Sequence, residues 1–218
     1  AWFRCDISGD YRCATTAGSV DKSRPRAWGV VRDLSLPADD TPKRSPDGRL
    51  EAFVRVGSVL LRSVADGSVR TLARDGGDAE FYDAESIAWS PDSSRFTVLR
   101  VQPGLERRVT RVETSPRDQL QPRVQTQLYP KAGDPVDIDR PVIFEITSGK
   151  RIDIPTALFA NPYEISTPQF RADGKTLAFR FVERGFQRVR LIEADTHTGA
   201  ARTVVEERSN TFVNSWWY

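Results

Sequence analysis

The sequence predicts an all-β fold, a partial β-propeller of about three full four-stranded antiparallel blades with half-blades at both ends. Three observations predict it. A tight polar turn followed by an apolar strand occurs three times, in RSPDGRLEAFV, AWSPDSSRFTV and FRADGKTLAFR. Each copy is followed by a second two-strand unit around a glycine turn, in VLLRSVADGSVRTLA, VIFEITSGKRIDI and VRLIEADTHTGAARTVV. The first two turns, at Pro46 and Pro91, stand 45 residues apart, the spacing of one four-stranded repeat, and blades of that kind pack face to face around a channel.

The chain divides into elements on this template. Residues 1–16 read as a half-blade hairpin, because FRCDISGDYRC superposes on LRSVADGSVRT with Arg4 on Arg62, Gly9 on Gly67 and Arg12 on Arg70. Residues 42–76 form the first full blade, opened by Pro46-Asp47-Gly48, whose residue types suit a type I turn. Asp66-Gly67 closes its second hairpin, with β-branched residues alternating on either side.

The second blade spans 81–155 and opens on Pro91-Asp92-Ser93. Here the repeat stretches to 81 residues between Pro91 and the matching Ala172, which places an insertion at about 103–140. SRFTVLRVQ and RRVTRVETS read as its inner strands, and the chain then runs through PRDQLQPRVQTQLYPKAGDPVDIDRP before VIFEIT resumes the pattern at Ser148-Gly149. Two prolines and a glycine within LYPKAGDP deny that stretch a continuous ladder. The third blade spans 161–208, with turns at Ala172-Asp173-Gly174 and Thr198-Gly199, and 209–218 begin a further blade at TFVNSWWY. A β-sandwich also spaces short strands by 8 to 12 residues or so, and is the competing architecture.

A formal charge of +2, from 32 basic and 30 acidic residues, supplies no strong field toward nucleic acid or an anionic membrane. The most basic stretch, LERRVTRVETSPRDQLQPRV, interleaves Glu106, Glu113 and Asp118 among its arginines and reads as a solvated strand face or loop. No apolar run approaches the roughly 18 residues of a membrane-spanning helix. The chain contains no methionine and starts directly on strand-like Ala1-Trp2-Phe3, so a processed chain or an excised piece of a soluble protein is expected.

Metal chemistry is not expected. One histidine and two cysteines cannot close a zinc site, and Asp134, Asp137 and Asp139 lack the spacing and glycine of a calcium loop. No cofactor is implied. His197 lies in the DTHTGA turn, where an ordinary turn residue is the reading; a general base must be pinned within reach of its nucleophile.

AWSPDSS at 88–94, YPKAGDP at 129–135 followed by VIFEI, and NPYEISTPQFRADGKTLAFRFVERGFQRVRLIEADTHTG at 161–199 together resemble the N-terminal propeller of the dipeptidyl peptidase IV family, in the prolyl oligopeptidase class of serine peptidases. The strong part of the match spans about residues 81–208, and YPKAG is its most specific motif. The resemblance implies an eight-bladed propeller in the parent protein, capping an α/β-hydrolase domain that removes N-terminal dipeptides with Pro or Ala second. It also implies peptide substrates, a C-terminal hydrolase partner, and a periplasmic, cell-surface or secreted location. The G-x-S-x-G elbow that carries such a family's nucleophile does not occur in this sequence, so the chain is expected to bind and gate rather than cleave. A non-enzymatic propeller that scaffolds protein partners is the alternative.

The family holds the substrate's ammonium with paired glutamates about eleven residues before the tryptophan that Trp89 matches. Counted back, those positions are Asp78 and Ala79, with Glu80 next, so the pair is not intact. Asp78 and Glu80 can share the task if they alternate along a strand and so face one way, but diverge on a helical turn. Glu106 and Glu113, in the inserted segment, are rival carboxylates.

Two further expectations concern the ends. Cys5 and Cys13 flank the turn ISGD: a three-residue loop centred on Gly9 sets them directly opposite and within reach of a disulfide, whereas a two-residue loop pairs Cys5 with Arg12. A partial propeller exposes blade edges and a blade face, which invites a homodimer, and Trp216, Trp217 and Tyr218 are expected to lie against other residues.

Overall fold

A computed structural model describes residues 2–5, 13–16 and 41–214. Strands β1 (Trp2–Cys5) and β2 (Cys13–Thr16) form an antiparallel pair. The first four-stranded sheet follows in simple order: β3 (Lys43–Arg44), β4 (Leu50–Arg55), β5 (Ser58–Ser63) and β6 (Val69–Ala73). Next come β7 (Phe81–Trp89) and β8 (Arg95–Gln102), then a separate hairpin of β9 (Arg108–Glu113) and β10 (Arg123–Leu128). β11 (Ile138–Glu145) returns to pair with β8, and β12 (Arg151–Asp153) completes the second sheet. After a short 3-10 turn at Thr156–Leu158, β13 (Pro162–Ile165) and β14 (Gln169–Phe170) share one edge of β15 (Thr176–Glu183). β16 (Arg188–Asp195) and β17 (Ala201–Arg208) complete the third sheet.

One strand assignment from sequence is corrected. RRVTRVETS is not an inner blade strand: β9 pairs only with β10 among the described residues, and β11 takes the place beside β8. Its alternation is that of a strand with little to bury, since Thr110 to Glu113 are all exposed.

The turns repeat in hydrogen-bond detail. In the three opening turns an N–H closes on the carbonyl three residues back: Gly48 on Ser45 at 2.9 Å, Ser93 on Ser90 at 3.0 Å and Gly174 on Arg171 at 2.9 Å. Each of those closing residues has φ between +60° and +74°, a conformation that costs a side chain roughly 1–2 kcal/mol and favours glycine. Ser93 adopts it too, and its hydroxyl accepts the N–H of Asp47, 3.1 Å away in the turn of the first blade. The non-glycine residue thus ties neighbouring blades together.

The core lies between sheets. Ala52, Val54, Val59 and Leu61 of the first sheet pack on Tyr82, Phe96, Val98, Val142 and Phe144 of the second. From its other face, Leu99, Val101, Ile143 and Ile152 meet Ile165, Leu177, Phe179, Phe181 and Ile192 of the third. Alternation along β8 explains this, since Phe96 and Val98 face one neighbour while Leu99 and Val101 serve the other. Three sheets stacked in series, each joined to the next by sequence order, make the arrangement a partial propeller rather than a two-sheet sandwich.

The opening edge strands are broken in the same way in both later blades. β7 bulges between Asp83 and Ala88, and β13 gives way to β14 after Ile165. The freed N–H groups of Leu99 and Arg180, at equivalent places in β8 and β15, donate instead to the hydroxyls of Ser86 at 2.7 Å and Ser166 at 2.9 Å. A buried backbone donor left unpaired would cost about 1–3 kcal/mol, so each serine repairs the ladder.

Candidate functional site

The start of β7, the end of β8 and the start of β11 lie at one rim, because Phe81 pairs with Val101 and Ile138 with Gln102. The opening turns lie at the other. The first rim therefore gathers the segment 74–80, the β9–β10 hairpin and the β15–β16 turn at Arg184, which holds most of the carboxylates the sequence singles out.

Segment 74–80 is fixed by two backbone contacts. The Gly76 N–H donates to the Gly57 carbonyl at 2.9 Å, and the Gly77 N–H donates to the Glu80 carbonyl at 2.7 Å. Asp78 and Glu80 thus sit on a tight turn rather than on alternate strand positions, and their side chains meet different surroundings. Asp78 is exposed and has no ion-pair or hydrogen-bond partner among the described residues. Glu80 is clamped, its Oε1 2.6 Å from Arg140 Nη1 and its Oε2 2.8 Å from Arg100 Nη2.

Those arginines belong to a network that sequence reasoning missed. Tyr82, Arg100 and Arg140 share one cross-strand row of the second sheet. Arg100 reaches Asp75 at 3.4 Å, Arg151 reaches it at 2.6 Å, and the Tyr82 hydroxyl donates to it at 2.7 Å. Burial works to raise the Asp75 carboxyl, but Tyr82, Arg151 and Arg100 outweigh it and hold the group below its ordinary 3.8. Burial, and then the bond to Asp75, push the Tyr82 phenol up to about 12. The available signal was Arg100 and Arg140, cations at positions of inner strands otherwise filled by apolar residues.

The hairpin is anchored by the end of LYPKAGDP. Asp134 accepts from Arg107 Nε at 2.7 Å and Nη2 at 2.8 Å, and from the Lys131 N–H at 2.9 Å. Arg107, and then the Lys131 N–H, hold its carboxyl well below the usual range. Its carbonyl accepts from Arg184 Nη2 at 2.7 Å, joining the hairpin base to the third blade. Gly104 lies so close that a Cβ there would meet the Pro135 carbonyl at 2.5 Å. The proline-rich loop is therefore a clasp at the hairpin base.

The rival carboxylates are both engaged. Glu106 stands 3.2 Å from Arg108 Nη2, and Glu113 lies 3.8 Å from Arg123 with Gln125 at 3.4 Å. Asp137 accepts from the Gly104 N–H at 2.8 Å, and Asp139 is buried. His197 sits on the opposite rim in the turn after β16, its Nδ1 2.9 Å from Arg95 Nη2. A guanidinium can only donate, so in this contact the ring nitrogen is the acceptor. The β1–β2 register sets Cys5 opposite Cys13. Trp216, Trp217 and Tyr218 lie outside the described residues.

A family model described as the dipeptidyl peptidase IV N-terminal region matches residues 2–217. Among solved structures, the crystal structure of Porphyromonas gingivalis dipeptidyl peptidase 4 superposes with a TM-score of 0.63 at 18% identity, covering 81% of this chain and 27% of that one. A putative dipeptidyl aminopeptidase IV from Bacteroides ovatus gives a TM-score of 0.47 at 15% identity, covering 76% of this chain and 29% of that one. The chain thus spans between a quarter and a third of the length of these structures.

Proposed function

The chain belongs to the family of dipeptidyl peptidase IV N-terminal regions, and on that premise we propose that it is the non-catalytic propeller portion of a serine exopeptidase that removes X-Pro and X-Ala dipeptides. In this reading it gates access to a C-terminal α/β-hydrolase domain and binds the substrate's amino terminus. The observation that carries the binding role is Asp78, an exposed carboxylate with no partner among the described residues, on a turn held by Glu80 between Arg100 and Arg140.

The chemistry follows from that division of labour. An ammonium offers three N–H donors and a positive charge, and a carboxylate answers both. Glu80, already neutralised by two guanidiniums, has little to offer it and acts as a positioning residue. Asp78 is free to act. An extracytoplasmic location fits such an exopeptidase.

Kinetics of the full-length enzyme test the assignment. Asp78→Asn keeps the shape and removes the charge, and loss of a charge-assisted hydrogen bond of about 1.5–3 kcal/mol should raise KM for a free-amine dipeptide substrate roughly tenfold or more. Glu80→Gln should raise KM less, with a lowered melting temperature, because its effect passes through the turn. An unchanged KM in Asp78→Asn would remove this residue from the site and leave Glu106 and Glu113 as the candidates.

One observation favours a second reading, an interaction scaffold or homodimer. The β9–β10 hairpin exposes Val112, Leu120 and Val124 to solvent, and single-sheet hairpins with apolar surface and open edges accept partners.

A further inference from the structure

We propose that Cys5 and Cys13 form a disulfide that closes the β1–β2 hairpin. The inference rests on register, and is independent of the peptidase reading. Four consecutive partner pairs run without a shift: Trp2 with Thr16, Phe3 with Thr15, Arg4 with Ala14 and Cys5 with Cys13. Directly opposed residues of an antiparallel pair stand about 4.5–5.5 Å apart at Cα. A disulfide spans Cα separations of about 4.4–6.8 Å, a range that includes the spacing of directly opposed residues.

The alternative register is excluded by the same ladder. A slip of one residue would set Cys5 against Arg12 and reverse the face of every residue on the strand. The sequence offers no competing partner either, because these are its only two cysteines. A two-stranded hairpin is marginal in water on its own, and a covalent tie between its strands limits fraying.

The reaction is thiol–disulfide exchange. One cysteine thiolate attacks a sulfur of a small-molecule disulfide such as glutathione disulfide and expels one thiolate; the second cysteine then displaces the other. Two thiols are oxidised to one S–S bond, and one glutathione disulfide is reduced to two glutathiones. Such a bond persists in the periplasm or outside the cell and is reduced in a cytosol, so the hairpin bears on compartment as well as on stability.

Peptide mapping decides it. The purified chain is equilibrated with glutathione and glutathione disulfide at the ratio of a secretory compartment, alkylated without reduction and digested with trypsin. Cleavage after Arg4, Arg12 and Lys22 yields CDISGDYR and CATTAGSVDK. The expected product is the two peptides joined, separating on reduction, or uncut 5–22 two hydrogens lighter than its reduced form. Cys5→Ser should expose one titratable thiol where the parent chain exposes none. Two alkylated peptides from the unreduced chain, or a disulfide-linked dimer on a non-reducing gel, would overturn the proposal.

Discussion

Phe144→Ala is expected to destabilise the chain by about 3–5 kcal/mol, the usual range for removing a buried phenylalanine. Phe144 is fully buried, its ring stacked on Phe96 at 5.4 Å between centroids and met edge-on by Tyr82 at 6.3 Å. It belongs to the cluster that joins the first and second blades. The loss therefore has two parts, the transfer of the ring to water and a void between two sheets that cannot easily close around it. For a chain of this length each kcal/mol lowers the melting temperature by about 2–4 °C, so a fall of roughly 6–20 °C should be read by thermal denaturation. A change under about 1 kcal/mol would mean that the two sheets do not share a core.

Gly57→Ala is expected to act on both stability and substrate binding. Gly57 has φ +69°, and a Cβ placed there would lie 2.2 Å from the Gly76 carbonyl oxygen. The backbone conformation alone costs an alanine roughly 1–2 kcal/mol. The clash then adds displacement of Gly76, whose N–H donates to the Gly57 carbonyl and which begins the turn bearing Asp78 and Glu80. We expect a total loss above about 2 kcal/mol, together with a raised KM for free-amine substrates in the full-length enzyme, although residue 57 lies 21 positions before Asp78, between two strands of the first blade. Gly67→Ala is the control, since its φ is +70° but a Cβ there would meet nothing within 4 Å. It should show the backbone cost and leave KM unchanged.

The fold was legible where local chemistry repeats. Pro46-Asp47-Gly48 and its two counterparts fix the turn between the first two strands of each blade, and the apolar strands after them declare the core. Strand partnership was less legible. Arg108–Glu113 alternates as a blade strand does, and periodicity says that a segment is extended without saying what it pairs with. Distance in sequence hid the rest. Glu80 meets Arg140 from 60 residues away, and Asp134 reaches Arg107 across the whole hairpin. The acidic stretch around Asp78 and Glu80 stands out in the sequence, but only the packed sheet divides its carboxylates into one held by arginines and one left to solvent.

Whether Asp78 holds the substrate's amino terminus is decided by a crystal structure of the full-length enzyme, its nucleophile disabled, bound to a peptide carrying a free amino terminus and proline second. The ammonium nitrogen is expected within about 3 Å of the Asp78 carboxylate, with Glu80 still between Arg100 and Arg140. An ammonium held by Glu106, by Glu113 or by groups outside this chain, with Asp78 in solvent, would contradict that assignment.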